Sequence, residues 1–453
     1  MIRTTNHMLP HSSPANVLLQ CSFQRRTLKV SFLIAGCLLS FAPLRLHAEQ
    51  EGDFTYFIKD NAVTITKYTG AGGEITIPAK IANLPVRVIG PAFGRVKKVT
   101  KITIPTSVTG ISYNSIHGCA DLTAITVEEA NEKYSSMDGV LFDKAKTSLI
   151  TYPGGKVGSY KVPAGVTSVG WYAFTGCTGL TSVALPASVA SIGRNTPASH
   201  NYDTVFSGCS GLTAISVEES NAKFSSLEGV LFDKAKTVLV AYPGGKTGSY
   251  VIPPSVTSIG ESAFWDCASL TGVTIPASVT SIGPVAFYNC TGLSSLILPA
   301  SVASIGGSAF RGCTGLSGVA LPASVSSIGT WAFNGCKGLA SVTFEGNAPS
   351  KIADNEMFGA FKGTAPDFTV RYYKGAVGFT TPEWKGWKTI ELDPTTELVD
   401  WTSTEGKTIK GNFVKLDGNS VVVRTEDSKE HKIPFTRLST ASVARAKMFG
   451  SSR

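Results

Sequence analysis

Three consecutive stretches, residues 270–292, 293–315 and 316–338, repeat one 23-residue pattern with apolar side chains at the same offsets. A single copy is too short to bury its own apolar row, so the copies must stack and bury it against one another. In the first copy the row is Leu270, Val273, Ile275, Val279, Ile282, Ala286, Phe287 and Cys290, punctuated by Pro276 and Gly283. Leu270 to Ile275 alternates like a short strand with one buried face, and Pro276 ends it because proline donates no amide hydrogen. Val279 to Gly283 suits a second short extended segment. Ala286-Phe287-x-x-Cys290 spaces its apolar groups like one turn of α- or 3-10 helix. Stacking then sets phenylalanine on phenylalanine and isoleucine on isoleucine.

The same frame recurs upstream, marked by Pro105, Pro163, Pro186 and Pro253, with Phe174, Phe206, Phe264, Phe287, Phe310 and Phe333 in one row and Ile116 in place of Phe once. Residues 122–179 and 212–269 are near duplicates, offset by 90, each with about 35 additional residues. Within them, Gly139 to Gly155 and Gly229 to Gly245 read as strand, polar turn, strand, which predicts hairpins near 139–155 and 229–245 projecting from the stack. A nine-residue insertion lies between Gly193 and Phe206.

A solenoid needs sealed ends. Phe54 to Tyr68 alternates apolar and polar residues and suits a capping hairpin, which with a first coil occupies 49–98. The regular coils occupy 99–361. A carboxyl-terminal cap over 362–392 brings Tyr372, Tyr373, Phe379, Trp384 and Trp387. Residues 393–397 read as a linker. Residues 398–453 lose the frame and read as short strands ending in a helix near Ala441 to Phe449, a small β-barrel.

The formal charge of +9 is concentrated at the two ends: residues 1–48 carry five basic and no acidic residues, and 399–453 carry ten basic and six acidic. The repeat body between them carries 26 of each and is neutral overall, and with no basic face or basic-aromatic interleaving evident in it a nucleic-acid partner is not expected. At the amino end Arg25, Arg26 and Lys29 precede an apolar run from Val30 to Leu44, the pattern of an export signal over residues 1–48. That run is too short for a membrane span. Ile34-Ala35-Gly36-Cys37 resembles a lipobox, making a lipid anchor on Cys37 the lesser alternative to ordinary cleavage of an exported chain that is secreted, periplasmic or on the outer surface.

The frame Leu-x-x-Val-x-Ile-Pro-x-Ser-Val-x-x-Ile-Gly-x-x-Ala-Phe-x-x-Cys resembles the BspA-type leucine-rich repeats of bacterial surface proteins over residues 54–392. That resemblance implies a secreted or surface solenoid that attaches to host or matrix proteins and needs no cofactor. The tail is similar to the Sla-type homology domain, an SH3-like adaptor module, on Trp401-Thr402-Ser403, Gly406-Lys407, Gly411-x-Phe413-Val414, Leu416, Pro434 and Leu438-Ser439. It implies a peptide partner, although Ser442 stands where members of that family usually carry an acid. The expected fold is therefore a leucine-rich-repeat-like solenoid of short parallel strands and short helical or 3-10 turns, followed by an SH3-like β-barrel.

Little in the chain suggests catalysis. Seven cysteines, Cys119, Cys177, Cys209, Cys267, Cys290, Cys313 and Cys336, share one repeat position. Their odd number and parallel side-chain directions favour a row of buried thiols over disulfides, and a linear row without histidine makes no tetrahedral zinc site. His117, His200 and His431 sit in separate segments, so no triad or metal pair is visible, and His117 reads as a solvent-facing residue. Clustering of Glu128, Asp138 and Asp143 would be the warning sign of an enzyme. Gly245-Lys246-Thr247 and Gly406-Lys407-Thr408 imitate the end of a phosphate loop, but Val240 and Trp401 stand where its first glycine belongs. The outward strand positions Gly272, Thr274, Ser295, Ile297, Gly318 and Ala320 are small and uncharged. Trp171, Tyr172, Trp265, Tyr288, Arg311 and Trp331, which vary between matching coils, form the candidate surface for a protein or glycan partner. A spacer whose tail alone recruits a partner is the alternative.

Overall fold

The computed structural model describes residues 48–193, 205–353, 359–404, 407–438 and 440–451. The expected leader with Cys37, and most of the insertion before Phe206 with His200, lie outside them. Each regular coil contributes two short parallel strands to two ladders. In one ladder Leu270–Thr274, Ser295–Ile297 and Gly318–Leu321 follow Gly248–Val251, with Val273 opposite Leu296. In the other, Ile259, Ile282, Ile305 and Ile328 lie opposite one another in turn. The 23-residue period is thus a one-coil register shift.

The third side of each coil differs from expectation. The Ala286 to Cys290 segment is a run of turns, and among the described residues helix occurs only in the tail. Val285 and Asn289 adopt left-handed conformations, φ 47° and 58°. Their amides, and that of Phe287 between them, turn toward the next coil, donating to Gly307 O at 2.8 Å, Arg311 O at 2.7 Å and Ala309 O at 2.7 Å respectively. A helical turn would close these bonds within the coil, whereas the alternating backbone makes them a third ladder between coils. Glycine holds the Asn289 position in later coils, as Gly312 and Gly335, where φ above 70° favours it.

Inside, the aromatic row stacks. Phe264, Phe287, Phe310 and Phe333 are wholly buried, with successive ring centroids 4.6, 5.1 and 5.1 Å apart and nearly parallel planes. Each such side chain contributes roughly 1.5–3 kcal/mol on burial. The row is longer than the repeat frame shows: Tyr152 and Tyr242 fill the phenylalanine slot at 5.3 and 5.0 Å from Phe174 and Phe264, and Phe361 extends it beyond Phe333.

The two hairpins are built into the stack instead of projecting from it. Val140–Asp143 pairs antiparallel with Tyr134–Met137 on one side and Ser148–Thr151 on the other, and Ser148–Thr151 then joins the parallel ladder beside Ser168–Val169. Val140, Leu141 and Phe142 are fully buried, as are Val230, Leu231 and Phe232 in the second hairpin. Three consecutive apolar residues in a strand require cover on both faces, so each strand stands as a wall between two packed cores. Leu141 joins the core containing Phe93 and Leu122, while Val140 and Phe142 join the one containing Phe174. Leu231 and Phe232 repeat the arrangement between the second core and the third.

At the start, Phe54–Lys59 and Ala62–Tyr68 form an antiparallel hairpin whose second strand runs parallel to Leu84–Ile89. At the far end Trp387 packs edge-on to Phe361, and Trp384 to Phe344, covering the last coil. Beyond it Val399–Thr402, Thr408–Leu416, Ser420–Arg424 and Glu430–Pro434 form an antiparallel meander, its ends joined by one bridge between Ser403 and Leu438. The helix Thr440–Ser451 follows. The stretch expected as a linker is a hydrogen-bonded turn, in which Asp393 Oδ1 accepts from Thr395 N and Pro394 O accepts from Phe413 N. Tyr373 and Leu392 of the last parallel strands share a core with Trp401, Phe413 and Phe449. Arg445, almost fully buried, pairs with Glu345 of the solenoid and donates to Asp400 O. The tail is thereby packed onto the stack.

Candidate functional site

The third-side turns carry the residues that vary between coils. The position just after each phenylalanine is only half-buried in Trp265, Tyr288 and Arg311, and in the next coil Trp331, two residues before Phe333, is half-buried as well, so these side chains line up along the stack at one-coil spacing. Two groups result. In the first, Tyr113 stacks on Tyr172 at 5.5 Å and lies 5.9 Å from Trp171, while His117 lies 5.0 Å from Tyr172. Tyr172 is buried, only 4% exposed, which removes it from the expected contact surface. His117 is half-buried against it, with Nδ1 2.8 Å from Asn114 O, and not the solvent-facing residue expected.

The second group is a column. Trp265 and Tyr288 stack at 4.2 Å with planes 17° apart. The Arg311 guanidinium lies 5.8 Å above the Tyr288 ring and 5.3 Å from the Trp331 ring. All four residues are half-buried. Asp266 braces the base of the column: its Oδ2 accepts from Trp265 Nε1 at 3.0 Å and its Oδ1 from Asn289 Nδ2 at 2.8 Å. The sequence reading missed both bracing residues, although each stands directly after a chosen aromatic.

All seven repeat cysteines are buried and none is in a disulfide. Each thiol instead reaches back one coil. Cys290, Cys313 and Cys336 donate to the backbone oxygens of Phe264, Phe287 and Phe310 at 3.0, 3.1 and 3.0 Å. Burial pushes the Cys119 thiol up to about 11, and raises those of Cys290, Cys313 and Cys336 as well. Such thiols are poor nucleophiles and poor metal ligands at neutral pH.

Two of the three carboxylates flagged as a warning, Glu128 and Asp143, cap backbone. Glu128 Oε2 accepts from Thr106 N, and Asp143 accepts from Ser148 N and Thr147 Oγ1, each at 2.7 or 2.8 Å. Lys246 Nζ donates to Glu228 O at 3.0 Å, a turn contact. Among the described residues no group of three His, Cys, Asp or Glu could hold a metal ion, and no helix is long and apolar enough to cross a membrane. A cavity of about 310 Å³ lies where solenoid and tail meet, between Glu345, Asn347, Val377 and Met448.

Six copies of the BspA type leucine-rich repeat region match residues 73–157, 151–226 and 241–360, more than half of the chain. The chain belongs to the BspA-type leucine-rich repeat family. BspA-type repeat proteins of the cell surface are typically binding or adhesion proteins, a non-enzymatic kind. Among solved structures, a leucine-rich cell surface protein of Faecalibacterium prausnitzii is 26% identical, the match covering 76% of this BspA-type chain and 97% of that one, with a TM-score of 0.45. The pneumococcal vaccine antigen PcpA is 21% identical over 72% of this chain and 87% of its own, TM-score 0.43. A leucine-rich repeat protein of Eubacterium ventriosum is 22% identical over 70% and 94%, TM-score 0.42. No curated protein matches the chain.

Proposed function

We propose that this chain is an exported, non-enzymatic binding protein that engages a protein or glycan of a cell surface or matrix through the column of Trp265, Tyr288, Arg311 and Trp331. The observation that carries this reading is the column itself. Four coils in succession place an aromatic or guanidinium group on the turn side. Tryptophan and tyrosine lose little freedom on binding, and Trp, Tyr and Arg are enriched among the residues that dominate interface energetics. Trp171 stands apart with Tyr113 and would serve as a second, smaller contact. Membership of a family of binding and adhesion proteins supports the same reading.

The test is binding of the purified chain to matrix proteins, peptidoglycan and whole cells. Joint replacement of Trp265, Tyr288 and Trp331 by alanine should weaken the strongest of these by about ten-fold or more, at about 1.4 kcal/mol per decade. Absence of binding to all three would sink the reading.

The second reading is a spacer whose SH3-like tail recruits a peptide partner. What supports it is the strand order of the tail, a meander whose ends approach at Ser403 and Leu438. Binding that survives the column replacements and is lost on exposed tail substitutions such as Lys410→Glu would favour it. Export, with release or anchoring at Cys37, is tested by the mass of the mature amino terminus.

A further inference from the structure

Resting on the column as the binding face, the geometry points to a narrower ligand class: we infer that Arg311 is its anchoring cation and receives a side-chain carboxylate from an acidic segment of a protein partner. The inner faces of the column are already occupied. Tyr288 has Trp265 against it at 4.2 Å and the Arg311 guanidinium over its ring, and Trp331 lies against Arg311 as well. Sugar recognition by stacking needs an open ring face, and the inner faces of this column are closed.

The Arg311 guanidinium carbon lies 5.8 and 5.3 Å from the two ring centroids, and its planar N–H fork suits a carboxylate bound through two parallel hydrogen bonds. Cation–π contact on its faces does not use those donors. Among the described residues no carboxylate forms an ion pair with Arg311, which is half-buried and therefore partly desolvated. Asp266, the acid beside the column, already accepts from Trp265 Nε1 and Asn289 Nδ2. The matching positions of the next coils are Asn334 and Lys362, neutral and basic, while Glu261 and Asp266 belong to the coil two before Arg311. An acidic peptide complements this guanidinium and a basic one does not.

The experiment is fluorescence polarisation with a labelled oligoglutamate peptide, an oligoglutamine peptide of equal length and an oligogalacturonate. The glutamate peptide should bind at least about ten-fold tighter than the glutamine peptide, with affinity falling as salt rises. Arg311→Met, which keeps the stacked stem, should remove most of that advantage. Arg311→Lys should recover only part of it, because an ammonium cannot present the planar fork; this variant carries the test if Arg311→Met fails to fold by circular dichroism. Equal binding of the two peptides, an unchanged affinity in both variants, or tighter binding of the galacturonate would each overturn the inference. Loss of cell-surface binding in the triple alanine variant, with Arg311→Met behaving as wild type, would leave the binding face standing and remove only the carboxylate assignment.

Discussion

Leu141 and Phe142 are adjacent in sequence and lie in different hydrophobic cores, Leu141 facing back to Phe93 and Leu122, Phe142 facing forward to Phe174. The strand that holds them divides the solenoid, and Leu231 and Phe232 divide it again.

This wall gives separable effects. Leu141→Ala should destabilise by about 2–5 kcal/mol and should speed hydrogen exchange first in residues 54–125, whereas Phe142→Ala should act first on residues 148–217. Hydrogen exchange with peptide-level resolution checks it. Identical exchange patterns in the two variants would show that the cores open together.

Asn131 and Asn221 hold the entry to each hairpin. The Asn131 amide donates to Pro105 O and Val108 O at 2.8 and 3.0 Å and accepts from Lys133 N and Tyr134 N at 2.9 and 2.8 Å, with the side chain wholly buried. Asn131→Leu leaves these backbone groups unpaired and should cost about 2–4 kcal/mol, measured as a shift in the urea midpoint. Asn221→Leu, at the equivalent place, should cost the same within error.

The thiol row predicts alkaline sensitivity. Burial raises Cys119 to about 11 from an ordinary value near 9, so the folded state holds its proton where the unfolded chain releases it. The contribution is therefore complete below about pH 8.5, and declines as pH rises toward 11. Urea midpoints measured from pH 7 to 10.5 should fall over the upper part of that range. Cys119→Ala should flatten the fall, and an unchanged slope would contradict the assignment.

The junction of solenoid and tail rests on a buried charge pair. Removing one partner, as in Glu345→Gln, should cost about 3–5 kcal/mol because Arg445 is left buried without its carboxylate, while Glu345→Gln with Arg445→Met should cost less than the two single changes added together. A double-mutant cycle on thermal unfolding decides this. It also predicts that deleting residues 398–453 exposes Tyr373 and Leu392, so that truncation lowers solubility as well as removing the tail.

The period, the strand positions and the stacked phenylalanines were legible from residues 270–338 because identical side chains at equal spacing leave one economical way to bury them. The hairpin positions were legible too, but their burial was not: Val140-Leu141-Phe142 is a short apolar run, which signals cover on both faces, yet the polar turn beside it reads as a projection. The helical turn was misread for a related reason. Apolar spacing of three and four residues is shared by a helix and by alternating turns, and only left-handed residues such as Val285 and Asn289 separate them.

The chain by itself determined that identical coils would stack and that their aromatic, isoleucine and cysteine rows would run in register, since no single coil can cover its own apolar side. The tertiary structure decided which varying residues meet. Trp265, Tyr288, Arg311 and Trp331 are tens of residues apart and lie at two different repeat offsets, and only the three-sided path of the backbone brings them into one column. It also decided that the tail is fastened to the stack, because the pairing of Arg445 with Glu345 joins residues 100 positions apart through a contact that leaves no periodic trace.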